Sequence, residues 1–277
     1  MTVQPLLTAK VQMTLRAAAR DGVSSVDCSL DLDRSVTQVE VGATSWRWQG
    51  REFPFLERCD ERSIYYWTGA DFERAARFTT ALFKLVATEW GPPTFEIDGI
   101  KMLPTARVSP YEDAQRKVAL IRPRGKVILD TCGGLGYFAA WCLQGQAARI
   151  LSYEKSADVL WLRSLNPWSP ENDGLANGRL QLAHRDVTEA IGALADGCVD
   201  AILHDPPRFG IAGELYSQAF YDQLARVLRP KGLLFHYTGA PNALSSGRDV
   251  LREVQQRLRR AGFTAEPEAD GVLARKR

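Results

Sequence analysis

Apolar positions in this chain keep two different rhythms. From Leu7 to Ala19 they recur at helical spacing, and Val26–Leu30 and Val36–Val41 then alternate apolar with polar as half-buried strands do. Trp46–Trp48 and Ser63–Trp67 repeat that alternation. Between Phe95-Glu96-Ile97 and Ile100-Lys101-Met102 stands Asp98-Gly99, a pair that tolerates the positive φ of a tight hairpin turn, so Thr94–Leu103 is expected to be a hairpin. Asp71–Val86 fits helix and strand equally. Residues 1–105 therefore read as a small β-rich α+β domain.

The rhythm changes after Ser109-Pro110-Tyr111-Glu112, which has a capping serine, a proline in the first turn and a glutamate three residues after the cap. That helix is expected to reach Leu120. Short apolar runs then alternate with helical stripes. Strands are predicted at Lys126–Asp130, Arg149–Glu154, Leu180–His184, Val199–His204 and Leu233–Tyr237. Helices are predicted at Tyr137–Gln144, Ala157–Leu165, Val187–Ala195, Glu214–Leu228 and Arg248–Ala261. This alternation implies a parallel sheet with crossover helices. The last two strands, Phe263–Glu266 and Val272–Arg275, are too close for a crossover and should form an antiparallel hairpin at the sheet edge. Residues 106–277 are thus expected to be one α/β domain with a seven-stranded Rossmann-like sheet.

Composition narrows the picture modestly. Of 277 residues, 45% are apolar and 25% charged, with a net charge of +2, as in an ordinary globular protein rather than a polyelectrolyte. Arg257, Arg259, Arg260, Arg275, Lys276 and Arg277 make the C-terminal end basic, which reads as a solvated helix face and tail. Five scattered cysteines without a Cys-x-x-Cys pair, and only three histidines, argue for a reducing compartment without a disulfide framework or metal site. No signal peptide and no apolar run long enough to cross a membrane is visible, so the expected location is cytoplasmic, without membrane association.

Chemistry gathers where strands end. Lys126–Asp130 runs into Thr131-Cys132-Gly133-Gly134-Leu135-Gly136, whose glycines allow a ligand close to the backbone and lead into a helix. The second strand ends at Glu154, suited to accept hydrogen bonds from ribose hydroxyls, and Asp186 follows the third, placed to meet an adenine amino group. The fourth ends in His204-Asp205-Pro206-Pro207-Arg208-Phe209. Its prolines remove donors and stiffen the turn, leaving carbonyls and the Asp205 carboxylate as acceptors that orient an attacking amine. Asp205, Pro206 and Pro207 are the candidate catalytic residues. Asp130, Cys132, Gly133, Gly134, Gly136, Glu154 and Asp186 are the candidate cofactor residues. Arg208, Phe209, His236 and Tyr237 are candidates for substrate contact, whereas alternation makes His204 a packed histidine.

These stretches resemble the class I S-adenosylmethionine-dependent methyltransferases over about Ser109–Arg277. The resemblance implies S-adenosylmethionine as cofactor, with Asp130 and the glycines near its methionine part, Glu154 on its ribose and Asp186 near its adenine. Cys132 stands where the family commonly has its first loop glycine, and Arg208 stands where amino-methylating relatives carry an aromatic. With Leu165-Asn166-Pro167-Trp168-Ser169, the whole chain is similar to a group of predicted methyltransferases with a small N-terminal domain, which is expected to recognise substrate or mediate homodimerisation. Nitrogen is the expected acceptor atom, and RNA is slightly favoured over protein or a small amine.

Rival readings meet specific obstacles. Uracil-C5 methylation needs a cysteine after the fifth strand, where His236-Tyr237-Thr238-Gly239-Ala240-Pro241-Asn242 has none. A nicotinamide dehydrogenase fits Gly134-Leu135-Gly136-Tyr137-Phe138-Ala139, but not Asp130 or Asp205-Pro206-Pro207. An aminopropyltransferase of the spermidine synthase kind fits Glu214–Gly232, yet needs more carboxylates for a polyamine than Asp205 alone supplies. Against a non-catalytic cofactor- or RNA-binding module stands the intact set of strand-end acids, none of which is needed for folding, so the site shows no decay.

Overall fold

A computed structural model describes residues 4–171, 177–239 and 249–277. Ala240, Pro241, Asn242 and Arg248 lie outside the described residues. The chain divides into two compact units, Met1–Glu112 with Trp161–Trp168, and Asp113–Leu160 with Ser169–Arg277.

The first unit is built of short antiparallel strands. Strands β1 (Leu6–Leu7), β6 (Tyr65–Trp67) and β7 (Phe72–Arg74) form one sheet in the order β1-β6-β7. β2 (Ser25–Cys28), β3 (Thr37–Val41), β4 (Ser45–Trp48) and β5 (Arg51–Pro54) form a second in sequence order. β8 (Ala76–Phe78), β9 (Leu82–Val86), β10 (Thr94–Ile97) and β11 (Ile100–Lys101) form a third. Asp71–Val86 is therefore strand. The predicted hairpin closes through Asp98 (φ 49°) and Gly99 (φ 78°), with Ile97 opposite Ile100. Helix α1 (Ala9–Arg20) is capped by Thr8, whose hydroxyl accepts from the Val11 N–H, and buries Val11 and Leu15. The core centres on aromatic residues: Phe53 stacks on Trp46 at 4.5 Å and meets Trp67 edge-on at 5.1 Å.

The second unit holds seven strands among the described residues, β12 (Val127–Asp130), β13 (Arg149–Glu154), β14 (Leu180–His184), β15 (Val199–His204), β16 (Leu228–Tyr237), β17 (Phe263–Glu268) and β18 (Gly271–Lys276). Their order is β14-β13-β12-β15-β16-β18-β17, parallel through β16, with β18 antiparallel to both β16 and β17. The strand order reverses between β12 and β15, which opens a crevice at their carboxyl ends. Both strands read as continuous apolar runs because helices cover parallel sheets on both faces; Ile128, Leu129, Ala201, Ile202 and Leu203 are fully buried.

The helices are α2 (Pro110–Ile121), α3 (Tyr137–Gln144), α4 (Ala157–Leu165), α5 (Val187–Ala190), α6 (Gln218–Val227) and α7 (Val250–Arg260). Three differences from expectation have local causes. The helix expected over Val187–Ala195 stops at Ala190 and tightens into a 3₁₀ turn over Ile191–Ala193, where the Arg226 guanidinium takes the carbonyls of Ile191 and Leu194. The helix expected over Glu214–Leu228 breaks at Ser217, whose hydroxyl accepts from the Phe220 N–H and caps α6; a 3₁₀ turn over Gly213–Tyr216 precedes it. Strand β16 begins five residues early and passes an irregularity opposite Val199–Ala201. Gly232 is required there, because a Cβ would lie 2.7 Å from the Leu228 side chain and 2.8 Å from the Arg229 carbonyl.

Candidate functional site

The loop after β12 is folded by its own backbone. The Gly136 N–H donates to the Gly133 carbonyl at 2.8 Å, and Gly134 (φ 47°) and Gly136 (φ 83°) hold left-handed conformations that glycine adopts without strain. The Gly133 N–H donates to the Tyr153 carbonyl at 2.7 Å, fastening the loop to the neighbouring strand. Gly136 stands at the N-terminus of α3, where backbone N–H groups point outward and favour an anionic or polar ligand. Asp130 is 1% exposed, and its Oδ2 accepts from the Ser152 hydroxyl at 2.7 Å. Cys132 packs against the sheet core, and burial pushes its thiol well above the usual range. It is a loop residue, and its burial disfavours the thiolate.

Glu154 accepts the Gly134 N–H through Oε2 at 3.0 Å and the Ser156 N–H through Oε1 at 2.9 Å. Its carboxylate thus straps the glycine loop to the end of β13. Asp186 caps α5, accepting from the Thr188 N–H at 2.8 Å and hydroxyl at 2.7 Å, and lies 3.8 Å from Lys155. This glycine turn, with no side chain at its two left-handed positions and an anchored acid at the next strand end, fits a nucleoside cofactor of the S-adenosylmethionine type.

Across the switch point, Asp205 follows β15. Sequence reading missed its surroundings. Lys117 of α2 is 2% exposed; its Nζ donates to Asp113 Oδ2 at 2.7 Å and stands 3.8 Å from both Asp205 Oδ2 and Asp270 Oδ2. The ammonium also sits 3.7 Å from the centre of the Tyr237 ring. Asp270 belongs to the turn between β17 and β18, and its carbonyl accepts the N–H groups of Thr238 and Gly239 at 3.2 and 3.1 Å, fixing the hairpin to the end of β16. The missed signal was present in α2. Ala114, Val118 and Ile121 form its buried stripe, and Lys117 lies on that stripe one turn after Asp113.

Electrostatics follow from this burial. Removal from water pushes the Asp205 carboxyl from 3.8 up to about 6; the Lys117 ammonium opposes that rise, while Asp113, Asp270 and Asp130 add to it. Lys117 feels burial pulling it down, but the three carboxylates outweigh burial and leave it above its ordinary range. The Tyr237 hydroxyl is pushed up to about 12, chiefly by burial. Among the prolines, Pro206 is buried, and the Pro207 carbonyl accepts the Tyr216 hydroxyl at 3.1 Å. Arg208 is exposed, and half-buried Phe209 meets the Tyr216 ring edge-on at 5.4 Å.

His204 and His236 are fully buried and face each other edge-on at 4.4 Å. The Nε2 of His204 faces the Leu215 carbonyl at 3.1 Å, so its proton resides there, and Nδ1 accepts from the Thr131 hydroxyl at 2.7 Å. In His236, Nδ1 donates to the Tyr237 carbonyl at 2.8 Å and Nε2 accepts from the Tyr221 hydroxyl at 2.9 Å. Both rings are neutral: burial lowers His204 well below its ordinary value and His236 to about 4. His236 therefore supports the wall behind Tyr237, and the half-buried Tyr237 ring is the part of that strand end beside the carboxylates.

No protein-family model matches the chain. The uncharacterized protein MJ1233 of Methanocaldococcus jannaschii is 40% identical over 221 residues, 78% of this chain and 75% of that protein. Among solved structures, a spermidine synthase bound to the transition-state analogue AdoDATO matches with a TM-score of 0.59 at 14% identity, covering 82% of this chain and 75% of that one. The spermidine synthase from Thermotoga maritima matches with a TM-score of 0.56 at 15% identity and the same coverage. Among the described residues no helix is long and apolar enough to cross a membrane. The seven-stranded order with its reversed last hairpin is the class I S-adenosylmethionine-dependent methyltransferase fold, and the chain belongs to the same family as the Methanocaldococcus jannaschii protein.

Proposed function

We propose that the protein is an S-adenosylmethionine-dependent methyltransferase that acts on a nitrogen. The observation that carries this reading is the Asp205 carboxylate at the carboxyl end of β15, across the switch point from the glycine loop. When bound, S-adenosylmethionine supplies a methyl group made electrophilic by its sulfonium. Gly133, Gly134 and Gly136 would admit its methionine part, Glu154 its ribose and Asp186 its adenine edge. Asp205 would accept a hydrogen bond from the acceptor's N–H and so orient the nitrogen lone pair toward the methyl donor. The proton displaced when the nitrogen takes the methyl in place of the sulfur would pass to Asp205 and on to water. Tyr216 holds the Pro207 carbonyl, keeping the loop in shape.

Asp113, Asp205 and Asp270 place more negative than positive charge around Lys117. That surplus supports an amine as acceptor over the phosphate-bearing RNA favoured from sequence. The β-rich unit we assign to acceptor recognition or to pairing of two chains. A second reading is aminopropyl transfer from decarboxylated S-adenosylmethionine. It is favoured by the same carboxylates, which supply what Asp205 alone did not, and by the likeness to spermidine synthase.

Calorimetric titration with S-adenosylmethionine, its decarboxylated form and NAD, followed by labelled-methyl transfer to a panel of amines, tests the proposal. Micromolar binding of the first alone, with loss of turnover but near-normal binding in Asp205→Ala, supports methyl transfer. Preference for the decarboxylated form establishes the second reading, and equal loss of binding and turnover in Asp205→Ala refutes the role given to Asp205.

A further inference from the structure

We infer that Lys117 is a positioning residue of this site: its ammonium ties the Asp205 carboxylate to α2 through Asp113 and to the β17–β18 turn through Asp270, and so holds it ready to accept. The inference rests on the proposed role of Asp205, but it makes a separate claim about a residue that does not touch the acceptor.

The geometry carries it. Lys117 is 2% exposed, which removes it from solvent competition, and a buried ammonium requires partners for its three protons. Asp113, one helical turn away, takes one of them at 2.7 Å. Asp205 and Asp270 lie at ion-pair distance, 3.8 Å each, and the Tyr237 ring closes one side at 3.7 Å. An internal helix pair would have been complete with Asp113 alone. Instead the cation bridges three segments distant in sequence, the helix before the glycine loop, the Asp205-Pro206-Pro207 turn and the terminal hairpin. The other titratable groups acting on the Asp205 carboxyl among the described residues are Asp113, Asp130, Cys132, Asp270, Tyr216 and Tyr237. Every one of them is acidic, and among the described residues Lys117 is the cation that favours the ionised form.

Opposite shifts from two substitutions distinguish this role from simple packing. In Lys117→Met the side chain keeps its length and loses its charge, so Asp205 should ionise at a pH higher by about one unit, a tenfold change in its ionisation constant. In Asp113→Asn one of the opposing carboxylates is removed while Lys117 stays, so the same ionisation should move down. Both are read by ¹³C NMR titration of the Asp205 carboxyl, assigned by its loss in Asp205→Asn, which needs neither cofactor nor acceptor. The acidic limb of the turnover profile should follow each shift, with S-adenosylmethionine affinity within threefold of wild type, and Lys117→Arg should restore the wild-type limb.

Should Lys117→Met fail to fold, Lys117→Gln removes the same charge and should give the same upward shift, opposite to that of Asp113→Asn. An Asp205 titration unmoved in Asp113→Asn and Lys117→Met overturns the inference, as does a uniform loss of turnover at all pH. Full turnover in Asp205→Asn sinks instead the proposed role of Asp205, while the carboxyl titration still decides whether Lys117 governs that ionisation.

Discussion

Replacing Asp205 with asparagine is expected to steepen the loss of stability on acidification, because Asp205 and the buried histidines titrate with opposite sign. His236 is neutral in the fold, with its pKa lowered from 6.5 to about 4 by burial. Below pH 6.5 the unfolded chain takes up a proton that the native ring refuses, so this residue withdraws stability as pH falls through that window. The cost is about 2 kcal/mol at pH 5 and about 3 kcal/mol at pH 4. Asp205 behaves in reverse: its carboxyl is raised from 3.8 to about 6. Below pH 6 the native state gains a proton before the unfolded one, returning about 1.5 kcal/mol at pH 5. His204, also lowered by burial, acts in the direction of His236 and equally in both proteins. Urea unfolding at pH 8 and pH 5, followed by circular dichroism at the transition that includes the seven-stranded sheet, measures the balance. Asp205→Asn should lose about 1.5 kcal/mol more than wild type between the two pH values. Equal losses in the two proteins would refute a raised carboxyl at Asp205 and, with it, the burial argument.

Three further outcomes follow from single contacts. Glu154→Ala removes the acceptor of the Gly134 and Ser156 N–H groups; with charge-assisted bonds worth about 1.5–3 kcal/mol, S-adenosylmethionine affinity by calorimetry should fall about tenfold or more, and unchanged affinity would refute the ribose contact. Tyr216→Phe removes the donor to the Pro207 carbonyl; it should cost about 1 kcal/mol in urea unfolding and slow turnover severalfold, whereas wild-type turnover would mean the prolines hold the loop unaided. Phe53→Ala, at a side chain 1% exposed and stacked on Trp46, should destabilise the β-rich unit by about 3–5 kcal/mol, and a loss below about 1 kcal/mol would show that the aromatic cluster repacks around the gap.

What the sequence made legible follows from the range of the forces involved. The Asp98-Gly99 turn, the Ser109 cap and the alternation after Val127 are decided within a few residues, and each stands where local chemistry put it. The strand-end acids Asp130, Glu154 and Asp205 were equally visible, because a parallel sheet brings its carboxyl ends together whatever the loops do. Lys117 and Asp270 were not, although Lys117 sits on an apolar helical stripe. Asp270 is 153 positions further along the chain, and only the antiparallel return of β18 beside β16 carries it to the site. Helix ends failed for a related reason. Ser217 reads as an acceptable helical residue until Phe220 offers its N–H, and the α-helical pattern is lost at Ile191–Leu194, where the Ile191 carbonyl takes the Leu194 N–H and the distant Arg226 reaches both carbonyls.

The charge arrangement bears on the choice of acceptor more directly than the fold does. Burying an ammonium with carboxylates costs desolvation that well-packed apolar side chains would avoid, so the cluster is poorly explained as a device for stability. Asp113 alone would neutralise Lys117; Asp205 and Asp270 are in excess, and Asp130 adds to their field. A phosphate brought to this crevice would meet that surplus, while an amine would find acceptors for its N–H groups and a carboxyl near neutrality to receive its proton. Methyl and aminopropyl donors both present a sulfonium, and the surplus suits either. They differ in the donor's own carboxylate, which must find positive potential away from Lys117, whose charge is already shared among Asp113, Asp205 and Asp270. The start of α3, beside Gly136, is a helix N-terminus and so carries positive potential, so the glycine loop rather than the lysine is where the two donors would be told apart.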